Sequence, residues 1–277
     1  MLSEIYVQAT SVRKLFDFSQ LFEVWNFRDL FLILVARDIR LKYKQTFLGV
    51  AWVIFQPLIS TVIFTLLFGR VGSFITSQLP YPVFAYLGLL YWTFFSNAFV
   101  SVSSSMMGIE SLLKKVYFPK LIVPLSTLVV NFLDFFVGLI ILVPFLFVFN
   151  VKSTPLFWIS LLMGFAIVSA MVLGLGLFLS TVSVRYRDVR FILPFFTQVF
   201  IFLTPVFYPL SIVSPMFRFI LSFNPLGMVI DLSRSLLIPS SQIAILPIVV
   251  GTFAAFLILI FGVLYFRKAE VYFADIL

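Results

Sequence analysis

An all-α membrane protein with six transmembrane helices is the fold class this sequence predicts, and three observations predict it. Of 277 residues, 62% are hydrophobic and 11% charged, against about a quarter charged in a soluble domain. Several uncharged stretches outrun the roughly 20 residues that cross a hydrocarbon core. The basic residues gather at the ends of these stretches, where they orient a chain in a bilayer.

Residues 1–46 are expected to be a cytosolic N-terminus. They lack the charged start, apolar centre and small-residue cleavage site of a signal peptide, so the first span is expected to direct insertion itself. Their last part carries Arg37, Arg40, Lys42 and Lys44. At about 100° per residue, Arg37, Arg40 and Lys44 share one helical face while Leu32, Val35, Ile39 and Tyr43 line the other. This pattern predicts an amphipathic helix along the cytosolic membrane surface. Its cations serve there either as an orientation anchor or as a face for anionic headgroups or a phosphate-bearing substrate.

A single transmembrane domain is expected over 47–266, with the first span at 47–69. The charge-free stretch 71–109 is too long for one crossing. Gly72, Ser73, Pro80 and Pro82 divide it, leaving a second span at 83–107. The third span, 121–150, contains one charge, Asp134, and the fourth covers 156–182. Beyond Arg185, Arg187, Asp188 and Arg190 a fifth is expected at 191–213. Pro205, Pro209 and Pro215 interrupt its helical pattern, so 205–240 is read as a re-entrant or interfacial outer region. Within it, Asn224-Pro225 reads as an N-cap and first helical residue of a short helix ending before Pro239. The sixth span, 243–266, leads to a cytosolic tail, 267–277.

Fifteen of the 19 Lys and Arg residues then fall on the side of the termini, leaving Arg70, Lys152, Arg218 and Arg234 opposite. This asymmetry places both termini in the cytosol and accounts for most of the net charge of +8 without a nucleic-acid partner. With no Cys and no His, disulfides, thiol chemistry, imidazole or thiolate metal sites and histidine catalysis are excluded. The 11 carboxylates are scattered, so no metal site and no catalytic set is predicted, and a membrane glycan transferase is disfavoured. No G-x-x-x-x-G-K-[ST] loop occurs, so the chain has no usual means of cradling ATP.

Polar side chains at membrane depth must face protein or water. Gln56, Asn97, Asn131, Asp134 and Gln198 are the candidates, and Asp134 either marks a functional site or pairs with another helix. Fifty-two aromatics offer stacking faces for sugar rings, although most belong to lipid contacts and packing. Tyr81, Tyr86, Tyr91 and Trp92 fit either a translocation path or an interfacial belt. Gly164, Ala170, Gly174 and Gly176 predict close helix packing in the fourth span. Asp231 and Arg234 are spaced for a mutual surface pair.

Four blocks carry a resemblance: "RDIRLKYKQTFLGVAWVIFQPL", "LLKKVYFPKLIVPLS", "VRYRDVRFILPFFTQVFIFLTPVFYP" and "NPLGMVIDLS". In this order, and over roughly residues 25–268, the chain resembles the permease subunits of type-two ATP-binding-cassette exporters of bacterial cell-surface polysaccharide: O-antigen, capsule and teichoic acid. The resemblance implies a homodimer in the bacterial inner membrane, paired with two copies of a separate ATPase that holds the ATP and Mg. It implies a polysaccharide carried on a polyprenyl diphosphate as the cargo. Arg37, Arg40, Lys42, Lys44 and Gly49 would form the substrate entrance. Residues 110–120 would form the coupling helix that docks on the ATPase through Glu110, Leu112, Leu113, Lys114, Lys115 and Tyr117. Trp52, Gln56, Tyr86, Trp92, Asn131 and Asp134 would line the path. A drug or small-lipid exporter on the same fold is the competing function.

Overall fold

The computed structural model describes residues 25–44, 51–75, 79–107, 118–186, 188–239 and 243–270. Among them the regular structure is helical: α1 Arg28–Tyr43, α2 Ala51–Ile75, α3 Tyr81–Ser103, α4 Ile122–Val148, α5 Pro155–Arg185, α6 Val189–Phe200, α7 Pro215–Ser222, α8 Pro225–Ser235 and α9 Ile245–Glu270. Five of these, α2, α3, α4, α5 and α9, are long and apolar enough to cross a membrane.

Local sequence sets several boundaries. Thr154 caps α5, accepting from the Phe157 amide at 3.3 Å, with Pro155 at the first helical position. Asn224 caps α8 in the same manner, accepting from the Leu226 amide at 3.1 Å. At the far end of α4, Asn150 takes φ 54°. Its amide donates to Phe147 O at 3.1 Å and the Val151 amide to Leu146 O at 2.9 Å, a left-handed stop that satisfies the last carbonyls.

Two expectations change. The helix of the first span continues through Gly72 and Ser73 to Ile75; an isolated glycine costs a helix only about 1 kcal/mol, and no proline intervenes before Pro80. The fifth span is not one long helix: α6 has 12 residues, about 18 Å of rise, and turns follow from Ile201 to Tyr208. Pro205 and Pro209 explain the stop, since neither has an amide to continue the ladder.

α3 is the axis of the molecule. Seventeen of its 23 residues are buried, and its Tyr and Phe rings interlock with those of α4 and α5, as in the Phe94–Phe135–Phe165 group, where centroids lie 4.6–5.4 Å apart. α2 is the opposite case, with little of its apolar stretch buried; Leu66 and Leu67, for example, are 78% and 67% exposed. α9 packs most extensively on α5. A Cβ built on Gly262 would strike the Gly174 backbone, and one on Gly174 would strike Ile258 and Leu259, so the two backbones touch only because both positions lack side chains. Gly164 makes similar room for Val229 and Tyr91, and Gly176 for Val102. Gly164, Gly174 and Gly176 of the fourth span therefore serve packing within the chain.

Candidate functional site

α1, α2, α3 and α4 wall a cavity of about 430 Å³. Its apolar lining comes from Trp52, Val53 and Pro57 of α2, Leu90 and Phe94 of α3, and Phe135 and Gly138 of α4. Its polar lining is Lys42, Tyr43, Gln56, Thr93, Asn97 and Asp134. A few convergent polar groups in an apolar hollow are what a small-ligand site requires.

Asp134 organises the polar side. One carboxylate oxygen lies 2.6 Å from Lys42 Nζ and the other accepts from the Tyr43 hydroxyl. Lys42 Nζ also donates to Asn131 Oδ1 at 3.2 Å, while Asn131 Nδ2 donates to Thr127 O at 2.9 Å. Burial, and the hydrogen bond it donates to the Asp134 carboxylate, push the Tyr43 phenol well above its ordinary range. Of the two readings of Asp134, pairing with another helix is thus the geometry found, and the partner is the N-terminal helix.

That pairing sets how α1 packs on α4. Leu34 belongs to a buried cluster with Phe118, Leu121, Ile122 and Val123, at the start of α4, whereas Lys42 meets Asn131 and Asp134 further along it. The intervening eight residues rise about 12 Å. Over this stretch α1 therefore runs along α4. Lys42 turns inward, while Arg40 and Lys44 are exposed and, among the described residues, have no carboxylate within ion-pair distance. Arg37 pairs with its neighbour Asp38 at 2.7 Å.

Trp52, Gln56 and Asp134 share this cavity, and Asn131 adjoins it through Lys42. Tyr86 does not line it: it is 0% exposed and donates to Gly138 O at 2.8 Å. Trp92 is turned to a second, shallower hollow with Ser96, Thr197, Gln198, Ile201 and Phe202. Tyr81, Tyr86 and Tyr91 are buried, so they form core packing and not an interfacial belt. Gly49 and residues 110–117, with Glu110, Leu112, Leu113, Lys114, Lys115 and Tyr117, lie outside the described residues.

A second constellation corrects the expected Asp231–Arg234 surface pair. Arg234 is 3% exposed and faces carbonyls: Nε and Nη2 donate to Phe84 O at 3.1 and 2.8 Å, Nη1 to Pro205 O at 2.6 Å and Nη2 to Val206 O at 2.6 Å. Gly88 makes room for it, since a Cβ there would lie 2.5 Å from both Nη2 and Val206 O. The guanidinium, always protonated in proteins, replaces the amides that the proline-broken turn 201–208 lacks. The sequence signal for this role is the single basic residue of 225–238, which follows the proline-broken stretch with Pro205 and Pro209.

The family model described as ABC-2 type transporter matches residues 29–238. This chain belongs to that family. ABC-2 relatives include an O-antigen export system permease protein RfbA of Klebsiella pneumoniae, 26% identical over 258 residues that cover 90% of this chain and 95% of the relative. The protein of the same name from Myxococcus xanthus is 29% identical over 69% of this chain and 73% of its own length. A polysialic acid transport protein KpsM of Escherichia coli is 22% identical over 74% of this chain and 80% of its own. The ABC-2 match begins inside α1 and ends just beyond α8, so it takes in both the cavity and the Arg234 constellation.

Proposed function

We propose that this chain is the membrane-spanning subunit of an ATP-driven exporter that moves an O-antigen-like polysaccharide, linked to polyprenyl diphosphate, across the bacterial inner membrane. The observation that carries the reading is similarity to permeases named for O-antigen export along 90% of the chain. In this reading the chain crosses the membrane six times, the fifth crossing being α6 with its broken continuation, and both termini are cytosolic. It works as a homodimer with two copies of a separate ATPase. Residues 110–120 dock on that ATPase.

The structure supports a division of labour within the basic helix. Lys42 is neutralised by Asp134 at 2.6 Å. Arg40 and Lys44, exposed and four apart on one face, are left to attract the diphosphate, each worth about 1 kcal/mol near an anionic surface. Trp92, Ser96, Thr197 and Gln198 offer an aromatic platform beside hydrogen-bonding groups, a surface chemistry suited to a passing sugar chain.

The test is reconstitution of the chain with its cognate cassette ATPase, in lipid nanodiscs, followed by ATP hydrolysis with lipid-linked glycan, lipid-free glycan or a hydrophobic drug. Stimulation by the lipid-linked glycan above the other two is the expected result. Stimulation by the drug alone would assign the chain to drug export, and activity without any ATPase would overturn the reading entirely.

A further inference from the structure

We propose that the Lys42–Asp134 pair is a transmission joint: it fastens α1 to α4, so that displacement of the segment leading into α4 also displaces α1 and one wall of the cavity. The inference rests on the transporter reading, in which that segment, 110–117, receives the push of the ATPase.

α1 is held to α4 at two places. Its apolar attachment is Leu34, in the cluster with Phe118, Leu121, Ile122, Val123, Met106, Leu177 and Phe266. Its ionic attachment is Lys42 and Tyr43 on Asn131 and Asp134. A helix held at one point pivots; one held at two points about 12 Å apart keeps its direction. The ionic point is part-buried, with Asp134 14% exposed, and removing one member of such a pair strands the other charge.

The junction at the start of α4 reaches further. The Lys120 amide donates to Glu270 Oε1 at 3.0 Å and Lys120 Nζ to Glu270 O at 2.7 Å, which ties the cytosolic end of α9 to the same few residues. A push delivered at 110–117 thus meets a knot of α1, α4, α5 and α9. Only the ionic joint lies beyond the knot and on the cavity wall, where Lys42 and Tyr43 face α2 and α3 across the hollow. Span-depth charges that serve as a mechanical link need opposite signs but no particular order. An ammonium that receives a substrate phosphate must instead stand at position 42.

That difference supplies the test. The chain has no cysteine, so spin labels go cleanly on Leu41→Cys and Ile140→Cys, which are 72% and 71% exposed. The full chain, in nanodiscs with its ATPase, is compared with Lys42→Gln, Asp134→Asn, Asp134→Glu and the reversal Lys42→Asp with Asp134→Lys. Each neutral variant should broaden the label-to-label distance distribution about twofold and lower glycan exported per ATP on the order of tenfold, and the reversal should restore both substantially. Asp134→Glu, which keeps the charge, should keep the native label-to-label distance distribution. An unchanged distance distribution in both neutral variants overturns the joint, as does Asp134→Glu behaving like Asp134→Asn. A reversal that restores the distance but not export also overturns it and gives Lys42 to ligand binding. The distance measurement needs neither glycan nor hydrolysis, so failure of the joint is distinguishable from failure of the transport reading.

Discussion

The Arg234 guanidinium lies 3.4 Å from the centre of the Phe84 ring and donates to the carbonyl of that same residue. The contact binds three pieces far apart in sequence: α8, the first turn of α3, and the broken turn 201–208, whose Pro205 and Val206 carbonyls it also receives. A guanidinium spreads five donors over three nitrogens in a planar fork and so reaches three carbonyls on different sides, whereas the three donors of a lysine ammonium radiate from a single atom.

Arg234→Met is therefore expected to lose about 3 kcal/mol of stability, because buried carbonyls left without partners cost roughly 1–3 kcal/mol each. Arg234→Lys, although it keeps the charge, should recover less than half of that loss. Thermal unfolding of the purified proteins, followed by loss of monodispersity in detergent, measures both. Equal stability of the lysine variant and the native protein would mean that charge alone, and not the fork, holds the turn.

Much of the architecture was legible because the bilayer imposes simple rules. Stretches free or nearly free of charge overlap α2, α3, α4, α5 and α9, and Asn224-Pro225 marked the first residue of α8. The cavity was legible only in its parts. Lys42 stood out as a cation and Asp134 as an ionisable group within a span, but 92 residues separate them, and helical periodicity speaks only of neighbours three or four apart. Periodicity also misplaced Arg234: the 231–234 spacing suggests an exposed pair, whereas the Pro205 and Val206 carbonyls of the broken turn draw the guanidinium inward. The proline signal and the arginine signal were each visible; their meeting is a tertiary fact. The same limit governs the tyrosines of α3, whose hydroxyls look interfacial in sequence but find buried carbonyls, Gly138 O for Tyr86 and Leu161 O for Tyr91.

The exposed cations of α1 should distinguish lipid-linked from free glycan. Arg40→Glu combined with Lys44→Glu replaces two attractions of about 1 kcal/mol each by two repulsions of similar size, so binding of a diphosphate-linked glycan should weaken on the order of a thousandfold while binding of the lipid-free glycan changes little. Titration in nanodiscs of fixed lipid charge provides the comparison. Loss of equal size for both ligands would reduce the helix to an orientation anchor.

The proposed docking segment can be tested without reference to its structure. Leu112→Asp with Leu113→Asp places two carboxylates where an apolar contact with the ATPase is expected, and desolvating one charge at an interface without a partner costs several kcal/mol. The variant should still insert and remain folded, because the change lies between spans, yet co-purification of the ATPase should fall at least about tenfold and export with it. Retained co-purification together with retained export would place the docking surface elsewhere.

The contact between α5 and α9 offers an internally controlled test of close packing. A methyl group at Gly262 would meet the backbone of Gly174, which no rotamer change can move, whereas a methyl group at Gly69 meets only Thr65 Cγ2 at 3.4 Å, an ordinary contact. Gly262→Ala must push two backbones apart over their most extensive shared surface and is expected to cost about 1–3 kcal/mol, the usual range for overpacking. Gly69→Ala should be neutral or slightly stabilising, since alanine favours a helix over glycine by up to about 1 kcal/mol. Thermal midpoints of the two variants, measured side by side with the native protein, should therefore move in opposite directions or, for Gly69→Ala, not at all. A Gly262→Ala protein as stable as the native one would mean that α9 can separate from α5 at no cost, and with it the end of α9 that Lys120 holds to the start of α4.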